Sequence, residues 1–293
     1  MIDIQKNFSF NTTPKLKFGY LITNSCYNDL KKILGKKILF ISDKGISKLR
    51  LYSELLNNLK KINVEVLIFD NVDSDPSVQN IENCLNYSSK FQPTGILGFG
   101  GGSPMDVSKV ISLLIGSNQK LDDLWGVNKA KGPRLPLGLI PTTSGTGSEV
   151  TPISIITLNS FEKRGIVTEH ILPDISILDP HLTLKKPKKI TAYSGIDAIV
   201  HAVEAYTSQN ANNNHLSKIL AIESLKLLGN SIKSAVFEMN NKETRAKMML
   251  GSTFAGMAFA NSPVSGVHAL AYPIGGIYKI PHGLSNSLIL PKV

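Results

Sequence analysis

No stretch of this chain approaches the roughly 20 uninterrupted apolar residues that cross a bilayer. Its opening, MIDIQKNFSFNTTPKLKFGY, lacks the apolar core of a secretory signal. Neither a membrane protein nor an exported one is expected, and the cytosol is the default compartment. Cysteine is scarce. Cys26 and Cys84 are the only two, far apart and without C-x-x-C spacing, which argues against a disulfide framework or a zinc knuckle and for two reduced thiols. In a cytosolic chain the sequons at Asn7, Asn11 and Asn86 are chance matches. Acidic residues are outnumbered, 22 against 32 Lys and Arg. The basic residues nevertheless fall in short scattered groups such as DLKKILGKK, NLKKI and LKKPKK, with no aromatic-interleaved basic stretch, so solvated faces are favoured over a nucleic-acid or membrane surface. Internal repeats and low-complexity segments are also missing.

What remains is 293 residues, 42% hydrophobic, enough for one large or two ordinary globular domains. From residue 37 to about 180, short apolar runs (KKILFIS, VEVLIF, TGILGFG, LPLGLIP) alternate with helix-period segments. Most of these runs are too apolar to have a wet face, which predicts a parallel sheet covered on both sides, an α/β layer fold. The segment FSFNTTPKLKFGY alternates around a proline and reads as a separate hairpin or edge strand able to pair with another subunit. From residue 194 onward everything reads as helix or connecting loop. The expected division is an α/β domain over 1–188 and an all-α domain over 189–293.

Three stretches carry chemistry. In GILGFGGGSPMDVSK an apolar strand runs into Gly100, Gly101 and Gly102, then Ser103 as an expected N-cap with Asp106 closing a capping box. A tight, well-capped turn would explain part of this, but three glycines exceed what a turn needs, and phosphate binding at a helix N-terminus is favoured. Asp43, ending the strand KKILFISD, can hold a ribose diol or serve as a helix cap. IPTTSGTGSEVTP offers a run of hydroxyls and glycines after another strand. Two such loops in one parallel sheet fit a nucleotide at its carboxyl edge.

The third stretch is SGIDAIVHAVEAYTS, where Asp197 and His201, four apart, share a helix face and can grip one metal ion. The bland alternative, a capping box from Ser194 and Asp197 beside a buried histidine bonded to a carbonyl, explains the pair equally well. His268 in GVHALAYPIGG and His282 in IPHGLSNSLILP tip the balance, because their apolar surroundings offer little reason to bury an imidazole, and one carboxylate with three imidazoles suits a divalent metal. His170, His181 and His215 lie in polar contexts and are expected at the surface. Glu204 lies two turns, about 10 Å of rise, from Asp197, too far for both carboxylates to share an ion. It reads as an outer partner or a surface residue.

GGGSPMDVSK, PTTSGTGSEVT, HILPDISILDP, SGIDAIVHAVEAY and HALAYPIGGIYKIPHGLSNSLILP, in this order, resemble the iron-containing (group III) alcohol dehydrogenases. The resemblance runs from about Phe10 to the last residue. It implies a Rossmann-like nucleotide-binding α/β domain, a helical domain, the dehydroquinate synthase-like superfamily, a metal in the cleft between the domains, and NAD(P)-linked interconversion of small alcohols and aldehydes by a cytoplasmic enzyme. By position, Asp197, His201, His268 and His282 match the metal ligands, usually of Fe2+, with Zn2+ the alternative on affinity grounds. Gly101, Gly102 and Ser103 match the pyrophosphate loop, and Thr142, Thr143 and Thr151 the second cofactor loop. Asp43 matches the acidic residue that favours NAD over NADP. A dimer is expected through the N-terminal strand region.

Some positions depart from the family pattern. Asp75 stands where many members have Asn, and Arg164 where a cofactor-contacting Lys is common. Tyr272 replaces a histidine implicated in proton transfer, which makes Tyr272 the candidate catalytic residue. The family also continues past LPKV with further helices, so the chain reads as truncated. Glycerol dehydrogenases and dehydroquinate synthases use a smaller ligand set, and maleylacetate reductases generally lack the complete set. A catalytically impaired relative that retains nucleotide binding is the alternative of a different class.

Overall fold

The computed structural model describes residues 7–158 and 162–293. Two compact units result. One comprises residues 13–142 and 152–182, the other residues 143–151 and 183–293 with the N-terminal residues through Thr12.

Among its described residues the first unit holds nine strands: β1 (Leu16–Phe18), β2 (Lys37–Ile41), β3 (Glu65–Phe69), β4 (Gly95–Gly100), β5 (Gly126–Val127), β6 (Leu137–Pro141), β7 (Ile153–Thr157), β8 (Lys163–Val167) and β9 (Ile175–Leu178). Its helices are α1 (Tyr27–Leu34), α2 (Lys44–Leu49), α3 (Ser53–Lys61), α4 (Val78–Ser88) and α5 (Gly102–Ser117). Six strands form a parallel sheet in the order β1-β9-β6-β4-β2-β3. Successive side chains of a strand point to opposite faces, and both faces are covered. Ile38 and Phe40 of β2 join Leu30, Leu34, Leu55 and Leu59 from α1 and α3, whereas Leu39 and Ile41 join Ile81, Val107, Val110 and Ile111 from α4 and α5. This two-sided burial is why the strands read as continuous apolar runs.

The opening segment is an edge strand and not a hairpin: β1 pairs in parallel with the chain's own β9, Leu16 opposite Ser176. Lys15 and Lys17 from this segment both pair with Asp29 of α1. A second, three-stranded sheet, β5-β8-β7, was not expected from the sequence. β7 and β8 are antiparallel, and β5 runs parallel to β8. Polar contacts hold it to α5, where Lys109 Nζ donates to the Ile153 carbonyl at 2.7 Å and Asp106 accepts from the Ile155 N–H at 3.0 Å.

The second unit contains no strand among its described residues. It consists of α6 (Lys188–Thr207), α7 (His215–Gly229), α8 (Ile232–Phe237), α9 (Lys242–Asn261), α10 (Gly266–Tyr278) and α11 (His282–Ile289). Ala198, Leu228, Ala235 and Met248 form one of its buried apolar clusters, with Ile199 and Ile232 packed against them. The segment 143–151 packs on α9 through a backbone approach that demands glycine. Gly147 has φ +61°, and a Cβ there would lie 2.6 Å from the Gly256 Cα.

Helix α6 starts six residues before Ser194, after Pro187, whose fixed φ suits a helix entry. Ser194 is therefore inside the helix, its Oγ donating back to the Ile190 carbonyl at 2.8 Å. The Ser194–Asp197 capping box does not form, and Asp197 is left for another task.

Candidate metal centre and nucleotide loops

Helical spacing builds the centre. On α6, Asp197, His201 and Glu204 follow one another at four and three residues and share a face. Helix α10 presents His268 and Tyr272, and α11 presents His282 and Asn286, each pair four apart. One donor atom from each of Asp197, His201, His268 and His282 lies within 4.8 Å of all the others; the first three residues are buried and His282 is half-buried. Asp197 Oδ1 is 3.5 Å from His282 Nε2 and 3.9 Å from His268 Nε2. Ligands about 2.1 Å from a common ion are separated by roughly 3.4 Å in a tetrahedron, so these spacings fit a small divalent cation.

The orientation of the rings fits as well. His268 Nδ1 lies 2.5 Å from Glu204 Oε2, so it carries the proton, and Nε2 presents its lone pair toward Asp197. The His201 ring is stacked between Phe259 and His268, with centroids 4.3 and 4.6 Å away. Burial pushes the His201 imidazole down to about 3, with His268 and His282 acting in the same direction against the pull of Asp197. At neutral pH the ring is a neutral donor, the form a metal requires. Burial alone would push the Asp197 carboxyl up, but the surrounding imidazoles and the Asn286 amide hold it below the usual carboxylate range. The quartet is thus one carboxylate and three imidazoles, a donor set suited to Fe2+ or Zn2+.

In the α/β unit, β2, β4 and β6 are neighbours, and the residues that follow them come together at the sheet's carboxyl edge. The Thr142 N–H donates to the Gly100 carbonyl at 2.8 Å, and Asp43 Oδ2 lies 3.4 Å from where a Gly100 Cβ would stand. Between β2 and β4 the strand order reverses, since β2 leads outward to β3 and the chain then returns to β4 on the other side. Such a switch point is where open α/β sheets bind ligands.

Local details differ from the sequence reading. The N-cap of α5 is Gly101, with no side-chain cap. Ser103 instead donates to the Ser74 carbonyl at 2.6 Å, and Asp106 is engaged by Ile155, so no capping box forms. The glycine run therefore leaves the start of a 16-residue helix without a side-chain cap, the arrangement that suits a phosphate. Asp43 does cap α2, Oδ1 accepting from the Ile46 N–H at 2.9 Å. Thr142 falls in the α/β unit, while Thr143 and Thr151 lie in the segment grouped with the helical unit. Arg164 pairs with Glu162 at 2.7 Å, whereas its neighbour Lys163, facing the opposite side of β8, pairs with Asp75, next to the carbonyl that holds Ser103. Lys163 is thus tied to the residue next to Ser74, whose carbonyl holds Ser103, whereas Arg164 is engaged by Glu162.

A family model described as iron-containing alcohol dehydrogenase matches residues 14–180, and one for the C-terminal part of the Fe-containing alcohol dehydrogenase family matches 191–293. The chain belongs to the iron-containing alcohol dehydrogenase family. It is 38% identical to long-chain-alcohol dehydrogenase 1 of Geobacillus thermodenitrificans over 96% of this chain and 71% of that protein. To the 1,3-propanediol dehydrogenase of Citrobacter freundii it is 35% identical, over 94% and 74%. Among solved structures, a 1,3-propanediol oxidoreductase superposes with a TM-score of 0.93 at 34% identity, covering 98% of this chain and 75% of that one. The sulfoacetaldehyde reductase of Bifidobacterium kashiwanohense, in complex with NAD+, gives 0.90 at 28% identity, covering 99% and 76%.

Tyr272 stands beside the centre of this family member. Its ring stacks on His282 with centroids 5.3 Å apart and lies 6.1 Å from His268. His170 and His215 are exposed; His181 is half-buried, its Nδ1 2.9 Å from the Tyr20 hydroxyl. Glu204, read from the sequence as an outer partner or a surface residue, is buried against His268. One residue at the centre escapes sequence reading: Asn286, fully buried with its Nδ2 2.6 Å from Asp197 Oδ1. Its only available signal is spacing, four residues after His282.

Proposed function

We propose that the chain is a metal-dependent, NAD-linked oxidoreductase that interconverts small primary alcohols and aldehydes. The observation that carries this reading is the convergence of Asp197, His201, His268 and His282 from three helices. These four would hold Fe2+, or Zn2+ as the alternative. When bound, the cation supplies Lewis-acid polarisation of the substrate oxygen, and the nicotinamide supplies or takes up the hydride.

The chain's own residues do the rest. Glu204 keeps the proton of His268 on Nδ1 and the ring in place. Gly100, Gly101, Gly102 and Ser103, with the N-terminus of α5, receive the pyrophosphate. Thr142, Thr143 and Thr151 add hydroxyls and amides from the second loop, and Asp43 accepts from the ribose and repels a 2′-phosphate. Arg164 or its neighbour Lys163 adds positive charge near the cofactor. Tyr272 orients the substrate or a water by hydrogen bonding, since a phenol with a reference pKa of about 10 is a poor base near neutral pH. The same reading includes a cytoplasmic location and a homodimer formed through the edge strand β1.

Support for the substrate class comes from relatives named as long-chain-alcohol and 1,3-propanediol dehydrogenases and as a sulfoacetaldehyde reductase. The test is a panel of aldehydes with NADH and NADPH on the purified, Fe2+-loaded protein. NADH oxidation with at least one short aldehyde is expected, and no turnover with any of them after metal loading would sink the reading.

A further inference from the structure

Asn286 lies one turn beyond His282 on α11 and is completely buried. Its Nδ2 is 2.6 Å from Asp197 Oδ1, 3.2 Å from His268 Nε2 and 3.3 Å from His282 Nε2. Chemistry fixes which end of the amide faces the centre. A carbonyl oxygen 2.6 Å from a carboxylate oxygen would be repelled, so the NH2 group points inward. The other end, Oδ1, is buried without a hydrogen-bond partner. His268 donates through Nδ1 to Glu204, leaving Nε2 as an acceptor, which an amide hydrogen suits.

The amide therefore addresses the same atoms of Asp197, His268 and His282 that a divalent cation needs. Two amide hydrogens aimed at these atoms and a cation about 2.1 Å from each of them exclude one another, because both are positive and both require the same space. A residue placed only to orient Asp197 would need contact with one carboxylate oxygen; proximity to both ring nitrogens as well goes beyond that role. We infer that Asn286 is an internal competitor of the metal, a side chain that must swing out of the donor set for the cation to bind and that weakens and slows metal uptake. The inference rests on the metal-centre reading above. Its sign is opposite to that of an ordinary supporting residue, whose loss weakens binding.

The test uses Co2+ alone as the probe. Dissociation constants are measured by competition with a chromophoric chelator, and uptake rates by stopped flow, for the wild type, Asn286→Ala and Asn286→Ser. Circular dichroism selects the variants that fold, and Ser retains part of the polarity should Ala fail. Removing a hydrogen bond to a charged acceptor should tighten Co2+ binding by about tenfold, with faster uptake, because the competing contact is gone. Tighter and faster binding supports the inference even if the wild type takes up no measurable Co2+. Equal or weaker binding in the folded variant overturns it while leaving the metal centre standing. Failure of both the wild type and the folded variant to bind Co2+ overturns the inference and the metal-centre reading together.

Discussion

Glu204 Oε2 lies 2.5 Å from His268 Nδ1, with both side chains almost wholly buried. Glu204 Oε1 also accepts from the Val267 N–H at 2.6 Å, so one carboxylate grips both the ring and the backbone at the start of α10. Burial pushes the Glu204 carboxyl up, yet the bonds from His268, Val267 and Ser265 hold it below the usual carboxylate range. Glu204→Gln keeps the size and loses the charge that makes His268 a stronger donor. Metal affinity should fall by about tenfold or more, as is usual for such outer partners. Isothermal titration with Zn2+ measures it, and unchanged affinity would reduce Glu204 to a packing role.

The buried, neutral His201 makes stability pH-dependent. Its imidazole is pushed from 6.5 down to about 3, so the folded chain resists a proton that the unfolded chain accepts. The stabilisation is complete above pH 6.5 and drains away as pH falls toward 3; Asp197, also lowered, acts in the same sense only near the bottom of that range. In chelator-treated protein, Tm should decline below pH 6.5 more steeply for the wild type than for His201→Asn. Parallel curves would contradict the assignment.

The legibility of this molecule in its sequence follows burial. Strands β2, β4 and β6 read as apolar runs because both faces are covered, and the histidines stand out because imidazole is rare in such surroundings. The antiparallel pair β7 and β8 is short and, in β7, alternates between buried and half-buried residues, so it does not separate from the loops around it. Ser194 and Asp197 mimic a capping box although Pro187 opens α6 earlier. Asn286, in GLSNSLI, reads as a polar helix face, since tertiary packing alone buries it. Lys163 and Arg164 cannot be ranked without knowing which face of β8 each occupies.

Asp43 both caps α2 and stands at the switch point beside Gly100. Asp43→Ser preserves a capping oxygen and removes the charge, so Tm should hardly move. The ratio of kcat/KM with NADPH to that with NADH should rise by about tenfold, the effect of relieving roughly 1.4 kcal/mol of repulsion. A ratio that stays the same would free Asp43 from any role in cofactor choice.

Tyr272 stacks on His282 and is 38% exposed, so its hydroxyl can be removed without unpacking the ring. Tyr272→Phe should lower kcat/KM by about tenfold at nearly constant Tm if the hydroxyl orients substrate or water. Unaltered kinetics would remove Tyr272 from the mechanism and leave it as a ring packed on a ligand.

The most direct measurement for the whole account is the stoichiometry and affinity of metal in the wild type and in His268→Ala, determined by elemental analysis after equilibrium dialysis against Zn2+ or anaerobic Fe2+. One ion per chain is predicted for the wild type. His268→Ala should lose at least tenfold in affinity, because it removes a donor nitrogen and leaves Glu204 without its partner, while NADH binding by fluorescence titration persists. A wild-type chain that binds no metal, or a variant that binds it as tightly, would contradict the assignment of Asp197, His201, His268 and His282 as the metal centre.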